Sequence, residues 1–529
     1  MFPPEGEFEP LLIKADLTPE KRLADFLTEY IVEDWWGDSV YEGPTELDIS
    51  GLITREDLDV IYKIQTIQKI DAEHASFIDN TVPKYAFCMD GGMFQEGIRS
   101  LIEVVLPSNI EVIEAQSFTN CVQLNKINLN QLTSLRKIGA NAFDNCNLTS
   151  VYIPEKCTDL AETTFLYCMN IESIVVDTKN TKYESESGAL YDKQVKALIL
   201  YPKKSRNKSL IVKAGTDSII ATCFSENEFL ENVDLPNSLT KLGRNAFQGT
   251  TKLKSIIIPS LIKELDATFF CSSIESVQLS EGLEVIGSSA FYKCANLQSV
   301  VLPKTINKIG FLAFGECTNL KSVNFEDLVS LAFIDDRAFL NCVGLSQVDL
   351  SKSIQMNSIG NISFKGCSSI HTLKLPDNLT KIANEAFINC ELLDLKKYPS
   401  SLTYIGDHAF ANNSSLTTIE IGELVSYLGN GAFSNCRNVS DLSVSENNTE
   451  YVLYENMIMK SDGSAVIYAS PNTSLEEIDL SEMQELGDYV LAGNKSIKRV
   501  ILGYNLTSVG VGAFADMSQL ETIDFSHCA

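Results

Sequence analysis

Apolar residues occupy alternate positions in short segments that recur along the chain. In one copy, Val300 and Leu302 flank Val301, and Pro303 follows at once. Alternation with a period of two predicts a β-strand with one buried face, and proline ends that strand because it has no N–H to donate. The same pattern returns at residues 253–259, 320–325, 345–350, 370–376 and 416–421. We expect these strands to pair side by side in a long parallel sheet.

A second signature, Ile-Gly-x-x-Ala-Phe, precedes each strand. In the same copy, Gly287 suits a turn that needs positive φ, and Ala290-Phe291 suits a short helical turn whose ring fills the centre of the coil. The phenylalanine recurs, mostly at steps of 22 to 25 residues, as Phe118, Phe143, Phe165, Phe224, Phe247, Phe291, Phe314, Phe339, Phe364, Phe387, Phe410, Phe433 and Phe514. A period of this length predicts a solenoid, whose coils need their neighbours to complete a core.

Two intervals are much longer than the repeat. Phe165 to Phe224 spans 59 residues, and the position equivalent to Phe433 returns only 58 residues later. The two inserts have the same composition, because residues 188–202 parallel residues 456–471, and Asp462-Gly463 in the second is a strong hairpin signal. Each insert is expected to form a β-hairpin, which either projects as a recognition surface or enlarges one coil.

The segment before the repeats predicts an amphipathic helix. Thr18 and Pro19 suit the N-cap and the first helical position, apolar residues follow from Leu23 to Ile31 at helical spacing, and Gly37 ends the segment. The helix would have about five turns. We interpret it as a cap over the first coil, with a partner-binding helix as the alternative.

The predicted organisation has six parts and one irregular coil. The parts are an N-terminal lead with the capping helix (1–44), a first repeat block (45–168), a hairpin insert (169–209), a second repeat block (210–443), a second hairpin insert (444–473) and C-terminal repeats (474–529). In the coil after Cys390, the stretch from Leu392 to Pro399 brings a lysine inward in either register. We expect a bulge or a snorkelling side chain there.

The net charge of the chain limits the classes of molecule that it is expected to bind. Seventy Asp and Glu residues against 42 Lys and Arg give a net charge of −28, which repels nucleic acid and anionic lipid head groups. No apolar run is long enough to span a bilayer, and the first residues lack the features of a secretion signal. We expect no nucleic acid partner, no membrane insertion and, if the chain is complete as given, a cytoplasmic location.

Nine of the 14 cysteines lie three residues after the motif phenylalanine: Cys121, Cys146, Cys168, Cys294, Cys317, Cys342, Cys367, Cys390 and Cys436. Coils stacked about 5 Å apart bring such residues within the Cα range of disulfides. We favour instead a small apolar residue packed at a tight corner. Asn227, Thr250, Asn413 or Met517 replaces the cysteine without disturbing the period.

The combined pattern, L-x-x-I-x-L-P and then I-G-x-x-A-F-x-x-C, resembles the BspA-like branch of the leucine-rich repeats. The resemblance covers roughly residues 60–529 and about thirteen motifs. It implies an α/β repeat solenoid with a long parallel β-sheet, short helical turns on the opposite face and an N-terminal capping helix. It also implies a surface-associated or secreted protein that mediates adhesion or contact with host proteins.

The sequence carries no signature of catalysis or of metal binding. The four histidines, His74, His371, His408 and His527, lie in different repeats. Zinc-protease, phosphate-loop and nucleophile-elbow motifs are absent. We therefore predict no catalytic residue, no metal and no cofactor.

The outward positions of the predicted sheet form the candidate site. They are mixed in charge and poor in aromatic residues, which favours a protein-binding surface over a carbohydrate platform. The predicted partner-binding residues are Lys254, Gln298, Lys321, His371 and Lys374. For His371, a solvated surface residue is the alternative.

These observations predict a non-enzymatic repeat protein that presents an extended surface to a protein partner, which the sequence does not identify. Surface adhesion or host contact is the specific form that the resemblance implies. Two alternatives stay open. One is an intracellular scaffold or adaptor, and the other is a targeting module of a larger protein, because the sequence ends just past a strand whose edge would be exposed.

Overall fold

The computed structural model describes residues 11–33, 39–41, 43–64, 66–89 and 96–527. They divide into two compact units, Met1–Leu230 and Glu231–Ala529. The predicted solenoid is confirmed, as stacks of coils built from short parallel strands with little helix. A regular coil has a strand from the L-x-x-I-x-L pattern, here called the leucine strand. It also has a two-residue strand that precedes the motif glycine, here called the dipeptide strand.

The first unit contains two larger parallel sheets, smaller strand pairs and one insert. A five-stranded sheet has the order Leu12–Leu17, Glu46–Ile53, Lys69–Phe77, Glu103–Val105 and Lys126–Ile127. The dipeptide strands form a second sheet from Thr81–Val82, Val112–Ile113, Lys137–Ile138 and Asp159–Leu160. Ser150–Ile153 pairs with Ser173–Val176, Ile31–Glu33 pairs with Ser39–Tyr41, and Ser209–Ile211 is a further strand. The helices are Leu23–Phe26 and Arg55–Tyr62, with 3-10 turns at Thr28–Tyr30, Ile78–Asn80 and Leu129–Gln131.

The second unit is built around one long sheet of dipeptide strands. Its eight strands are Glu264–Leu265, Val285–Ile286, Lys308–Ile309, Phe333–Ile334, Ser358–Ile359, Lys381–Ile382, Tyr404–Ile405 and Tyr427–Leu428. The leucine strands pair in twos: Ser255–Ile258 with Ser276–Leu279, Ser299–Val300 with Ser322–Val323, Gln347–Asp349 with Thr372–Lys374, and Thr418–Ile421 with Asp441–Val444. A three-stranded sheet contains Glu477–Leu480, Arg499–Gly503 and Thr522–His527. Asn232–Asp234 and Lys241–Leu242 are further strands, and Phe325–Asp327 is a 3-10 turn.

The long parallel sheet therefore consists of dipeptide strands, whereas the pattern predicted it from the leucine strands. An asparagine side chain explains where the backbone pairing of two leucine strands stops. The N–H of Leu302 donates to Oδ1 of Asn324 at 2.8 Å, and Nδ2 of Asn324 donates back to the carbonyl of Leu302 at 3.1 Å. The side-chain amide thus replaces the next backbone pair, and Pro303 has no N–H with which to continue.

The expected five-turn helix near the N-terminus is wrong. Thr18 and Lys21 bond to each other in a tight turn around Pro19, so the proline lies in a turn and not at the start of a helix. The following helix has only four residues, Leu23–Phe26, and Leu23 is buried. The expected end of the long helix, Trp35, Trp36 and Gly37, lies outside the described residues.

A helix that the sequence analysis missed is Arg55–Tyr62. Its N-cap is Thr54, whose N–H donates to Oδ2 of Asp57 at 2.9 Å. Asp57 is buried, pairs with Arg22 and accepts the N–H of Leu23 at 3.0 Å. The signal was a threonine followed three residues later by an acidic residue, which is a capping box.

The motif glycine has a role other than the predicted one. Gly287 does not have positive φ; a Cβ there would lie 2.7 Å from the carbonyl oxygen of Leu265 in the preceding coil. The glycine therefore permits close approach of two backbones. Positive φ falls instead on the second residue after it, Ser289 (55°), and on the residue before the cysteine, Lys293 (60°).

The motif phenylalanines form the core, as predicted, except Phe514, which is only partly buried. In the second unit, consecutive rings from Phe247 to Phe433 stack with centroids 5.1 to 5.5 Å apart and planes within 9°. Phe87, Phe118, Phe143 and Phe165 stack in the same way in the first unit. One coil was missed: Phe269 lies between Phe247 and Phe291, because Thr268 replaces the usual alanine.

The motif cysteines donate hydrogen bonds in addition to filling space. The Sγ of Cys317 lies 3.0 Å from the carbonyl oxygen of Phe291 in the preceding coil, and Cys342 bonds Phe314 in the same way at 3.0 Å. Asn413 replaces a cysteine and keeps the bond, from Nδ2 to the carbonyl of Phe387 at 3.0 Å. A small side chain that can also donate therefore suits this position.

Replacing Asn413 with alanine is expected to lower the free energy of unfolding by about 1–3 kcal/mol. Its Oδ1 accepts the backbone N–H of Cys390 at 2.8 Å, and alanine would leave that buried donor without a partner. Asn413→Cys also removes Oδ1 but restores a donor to the carbonyl of Phe387, so it should lose less. Urea denaturation of the two variants checks the order, and equal losses would contradict a contribution from the bond to Phe387.

Both inserts form antiparallel strands that extend the dipeptide sheets. In the first insert, Tyr183–Glu186, Ala189–Asp192 and Ala197–Leu200 form two successive hairpins, and the last strand pairs in parallel with Ser218–Ile219. In the second, Tyr451–Tyr454, Met457–Lys460 and Ala465–Ala469 do the same, and the last strand pairs with Glu485–Leu486, which pairs with Ser508–Val509. Each insert is thus a three-stranded meander that belongs to a new sheet, where its last strand pairs with the dipeptide strand of the following coil.

Candidate interaction surface

The five predicted partner-binding residues lie in the second unit and have exposed side chains. Four of them immediately precede a leucine strand instead of lying on it: Lys254, Gln298, Lys321 and His371. Lys374 is the last residue of its strand. The difference arises because buried alternation begins later than expected. In the first of these coils, Ile256 points inward and Ser255 is the first outward strand residue.

Backbone hydrogen bonds join these positions from coil to coil. Each N–H donates to the equivalent carbonyl one coil earlier: Glu275 to Lys254 (2.8 Å), Gln298 to Glu275 (3.3 Å), Lys321 to Gln298 (2.8 Å), Ser346 to Lys321 (3.3 Å) and His371 to Ser346 (3.0 Å). We call these six residues the ladder. It brings together four of the five predicted residues and presents one side chain per coil, at a spacing of about 4.8 Å.

The coil after Cys390 is irregular, as the sequence predicted, and the ladder does not continue through it in the same form. No strand forms over residues 392–399. Lys396 points outward, with Nζ 2.5 Å from Oδ2 of Asp394, and Tyr398 is buried. Oδ1 of Asp394 accepts the N–H of Thr417 at 3.1 Å, in place of a carbonyl. The lysine avoids the core because this coil gives up its strand.

Two of the predicted lysines pair with carboxylates across neighbouring coils. Nζ of Lys254 lies 2.9 Å from Oε1 of Glu275, and Nζ of Lys374 lies 2.7 Å from Oδ2 of Asp349. The imidazole of His371 contacts only a neighbour in sequence, with Nδ1 3.0 Å from Oγ1 of Thr372. Exposed pairs of this kind contribute little to stability, so a bound partner can compete for either charge.

Beside the ladder, the leucine strands present small side chains that the sequence analysis missed. Ser255 pairs with Ser276, and Ser299 with Ser322, all with exposed side chains. The signal was a serine directly before the first buried residue of each strand. Serine loses little side-chain entropy on burial compared with lysine or glutamate, so this strip is suited to close contact.

A column of aspartates and asparagines follows the position of the motif glycine, which is Asp335 or Ala383 in two of the coils. Asp407 accepts the N–H of Asn430 at 2.9 Å, and Asn430 in turn accepts the N–H of Asp488 at 2.9 Å. The equivalent residues of earlier coils are Asp336, Asn361 and Asn384, linked in the same manner. These side chains satisfy turn amides of the following coil, so their role is structural.

Several buried thiols donate hydrogen bonds to backbone carbonyls. All thirteen cysteines in the described part of the chain are free, and twelve are buried. Burial raises the pKa of Cys294 and of Cys436 to about 12, which keeps them from acting as thiolate nucleophiles. Within the described ranges, no three His, Cys, Asp or Glu side chains converge as a metal site would require. The helices described here are also too short or too polar to cross a membrane.

A family model described as the BspA type leucine rich repeat region (6 copies) matches residues 90–203, 200–321, 284–397, 332–461 and 466–528. These segments cover well over half of the chain. No curated protein matches the sequence.

The fold is similar to several solved structures. A leucine rich cell surface protein from Faecalibacterium prausnitzii is 20% identical with a TM-score of 0.44, covering 59% of this chain and 86% of that chain. A leucine-rich repeat protein from Bacteroides ovatus is 21% identical with a TM-score of 0.43, covering 83% and 92%. The pneumococcal vaccine antigen PcpA is 17% identical with a TM-score of 0.39, covering 83% and 91%. At these identities the likenesses concern the fold alone.

Proposed function

Because the chain belongs to the BspA-type leucine-rich repeat family, we propose that it is a non-enzymatic protein that binds a protein partner. The contact surface is the ladder together with Lys374 and the serine strip. Surface adhesion or contact with a host protein is the specific form of this proposal, in line with the family resemblance.

The observation that carries the proposal is the continuity of the ladder. Five consecutive backbone hydrogen bonds, from Lys254 to His371, hold six side chains in one row. The row offers both charges, amide and hydroxyl groups, and exposed apolar neighbours such as Ile257 and Val301. Polar groups mixed with apolar area on a rigid scaffold are what a protein interface needs.

The row also distributes its titratable groups, with at most one per coil. A catalytic site concentrates such groups in one cavity, where their pKa values shift. This arrangement supports a binding role for the surface over a chemical one.

Charge reversal of the predicted lysines tests the surface. We expect the triple variant Lys254→Glu, Lys321→Glu and Lys374→Glu to lose binding by at least about tenfold, because three contacts change sign in one interface. The measurement is quantitative capture of the native partner from the source cells or from host extracellular protein, followed by titration of the identified partner. Lys293, Lys304 and Lys352, also exposed lysines of the second unit, provide the matched control when reversed together.

The control variant has the same net charge as the test variant and should bind like the unmodified protein. Equal losses in both variants would indicate a general effect of charge. Retention of binding by the test variant would contradict the assignment of the surface.

A further inference from the structure

The dipeptide sheet of the second unit carries two adjacent outward tyrosines, Tyr404 and Tyr427. By strand register, Lys381, Tyr404 and Tyr427 occupy the same outward position in successive coils. The rings of Tyr404 and Tyr427 stack with centroids 4.5 Å apart and planes 11° apart, and Tyr427 is 41% exposed. Nζ of Lys381 lies 4.7 Å from the centre of the Tyr404 ring. Two ordered tyrosines therefore stand side by side on this face.

The orientation of the Tyr427 ring is fixed from two sides. Its hydroxyl donates to Oδ1 of Asp407 at 3.1 Å, while Tyr404 covers one face of the ring. Partial burial, followed by the charge of Asp407, raises the pKa of Tyr427 to about 12, so the hydroxyl remains a donor. A ring held in this way loses little freedom when a ligand packs on its other face.

That other face lines a groove, because the eight-stranded sheet ends at Tyr427–Leu428. The N–H of Leu428 donates to the hydroxyl of Tyr451 at 2.8 Å instead of to another strand. The second insert then forms a separate sheet, in which Ala465–Ala469 pairs with Glu485–Leu486. The gap between the two sheets is a groove of about 720 Å³, which is in the size range of ligand sites.

The lining of the groove also has four charged side chains, three of them acidic, beside apolar residues such as Ile467 and Val509. The four are Glu450, Lys460, Asp462 and Glu485, of which the three carboxylates are exposed. Carboxylate oxygens accept hydrogen bonds from hydroxyl groups. Three carboxylates facing one ammonium repel a ligand that is itself anionic.

We propose that this groove binds a neutral oligosaccharide, with one sugar ring packed on the free face of Tyr427. Sugars present C–H groups to aromatic faces and hydroxyls to carboxylates, and the lining of the groove supplies both kinds of group. A peptide would also find hydrogen-bonding groups here, but it has no general need for a flat, immobilised ring. The proposal concerns a surface separate from the ladder and does not depend on the proposed function.

The first insert provides an internal comparison. There too the dipeptide sheet ends at an insert, and the N–H of Leu160 bonds the hydroxyl of Tyr183 at 3.1 Å. The residue equivalent to Tyr427 is Asp159, as the parallel roles of Leu160 and Leu428 show. The same framework thus occurs twice, and only the second copy has an aromatic platform.

Binding of the full chain to a panel of soluble oligosaccharides tests the proposal. The panel contains neutral glucose-, galactose-, mannose- and N-acetylglucosamine-based tetrasaccharides, with sialylated and sulfated counterparts, at up to millimolar concentration. Saturation-transfer NMR identifies bound sugars and calorimetry gives Kd. We expect at least one neutral member to bind, and its anionic counterpart to bind more weakly.

Variants then locate the site. Tyr427→Ala should weaken binding by about tenfold or more, and Tyr427→Trp should retain it. Tyr504→Ala removes a tyrosine of the second unit that is 73% exposed and outside the groove, so it should bind like the unmodified protein. Unchanged circular dichroism and melting temperature of each variant exclude unfolding as the cause.

Three outcomes would overturn the proposal. The first is that no neutral sugar binds, and the second is that binding is unaffected by Tyr427→Ala. The third is that a random peptide library, tested in parallel, gives Tyr427-dependent binding while the sugars do not, which would make the groove a peptide site.

Discussion

Replacing Phe314 with alanine is expected to lower the free energy of unfolding by about 3–5 kcal/mol, the usual cost of removing a buried aromatic ring. The ring is fully buried and stacks on Phe291 and Phe339, with centroid distances of 5.1 and 5.2 Å. Its removal leaves a cavity between two coils, and each coil depends on its neighbours for stability. Urea denaturation measures the loss, and hydrogen exchange should increase most in the coils of Phe291 and Phe339.

Phe333→Ala is the matched control for that substitution. Phe333 lies in the following coil but is 53% exposed, so its loss should cost less than about 1 kcal/mol. A similar cost for the two variants, or a loss below about 1 kcal/mol for Phe314→Ala, would show that the stacked rings are not the main source of stability.

The second large effect is expected for Gly503→Ala, which should cost about 3 kcal/mol, at the upper end for overpacking. A Cβ at Gly503 would overlap the carbonyl oxygen of Ser481 in the neighbouring strand. The two strands pair in parallel, Glu477–Leu480 with Arg499–Gly503, so the clash can be relieved only by moving backbone. We expect a lower melting temperature and faster hydrogen exchange in these strands.

Gly422→Ala separates this clash from the general effect of adding a methyl group. A Cβ at Gly422 would meet nothing within 4 Å, and its φ is not positive. The substitution should be neutral or stabilise by up to about 1 kcal/mol, because alanine has less freedom in the unfolded chain. If Gly503→Ala were equally harmless, the close approach at Ser481 would be wrong.

The sequence predicted those parts of the molecule that depend on repetition. The phenylalanine period indicated a stack of coils, and the rings do stack. The lysines after Cys390 indicated a local irregularity, because a charge cannot be buried without a partner, and Lys396 does point outward. In both cases, the residue type alone determines whether the side chain must be buried or exposed.

Several predictions failed where one segment had to be judged without its neighbour. Residues 18–37 have helical spacing, yet the bonds between Thr18 and Lys21 form a turn. The sequence predicted a positive φ at Gly287, although the role of this glycine is to let the backbone of Leu265 approach. The long sheet was predicted from the leucine strands, which have the longer apolar pattern. The side chain of Asn324, however, ends the backbone pairing of two of those strands.

The candidate sites divide in the same way. The row from Lys254 to His371 could be found by aligning the repeats, because residues one period apart must lie in adjacent coils. The groove at Tyr427 could not, since it exists only where an insert interrupts the dipeptide sheet and Tyr451 takes the place of a strand. The sequence by itself therefore determined which residues recur, and hence the solenoid, its aromatic core and its thiol column. The tertiary structure alone decided which backbones touch, where a sheet ends and what cavity remains, because these depend on contacts between residues far apart in the chain.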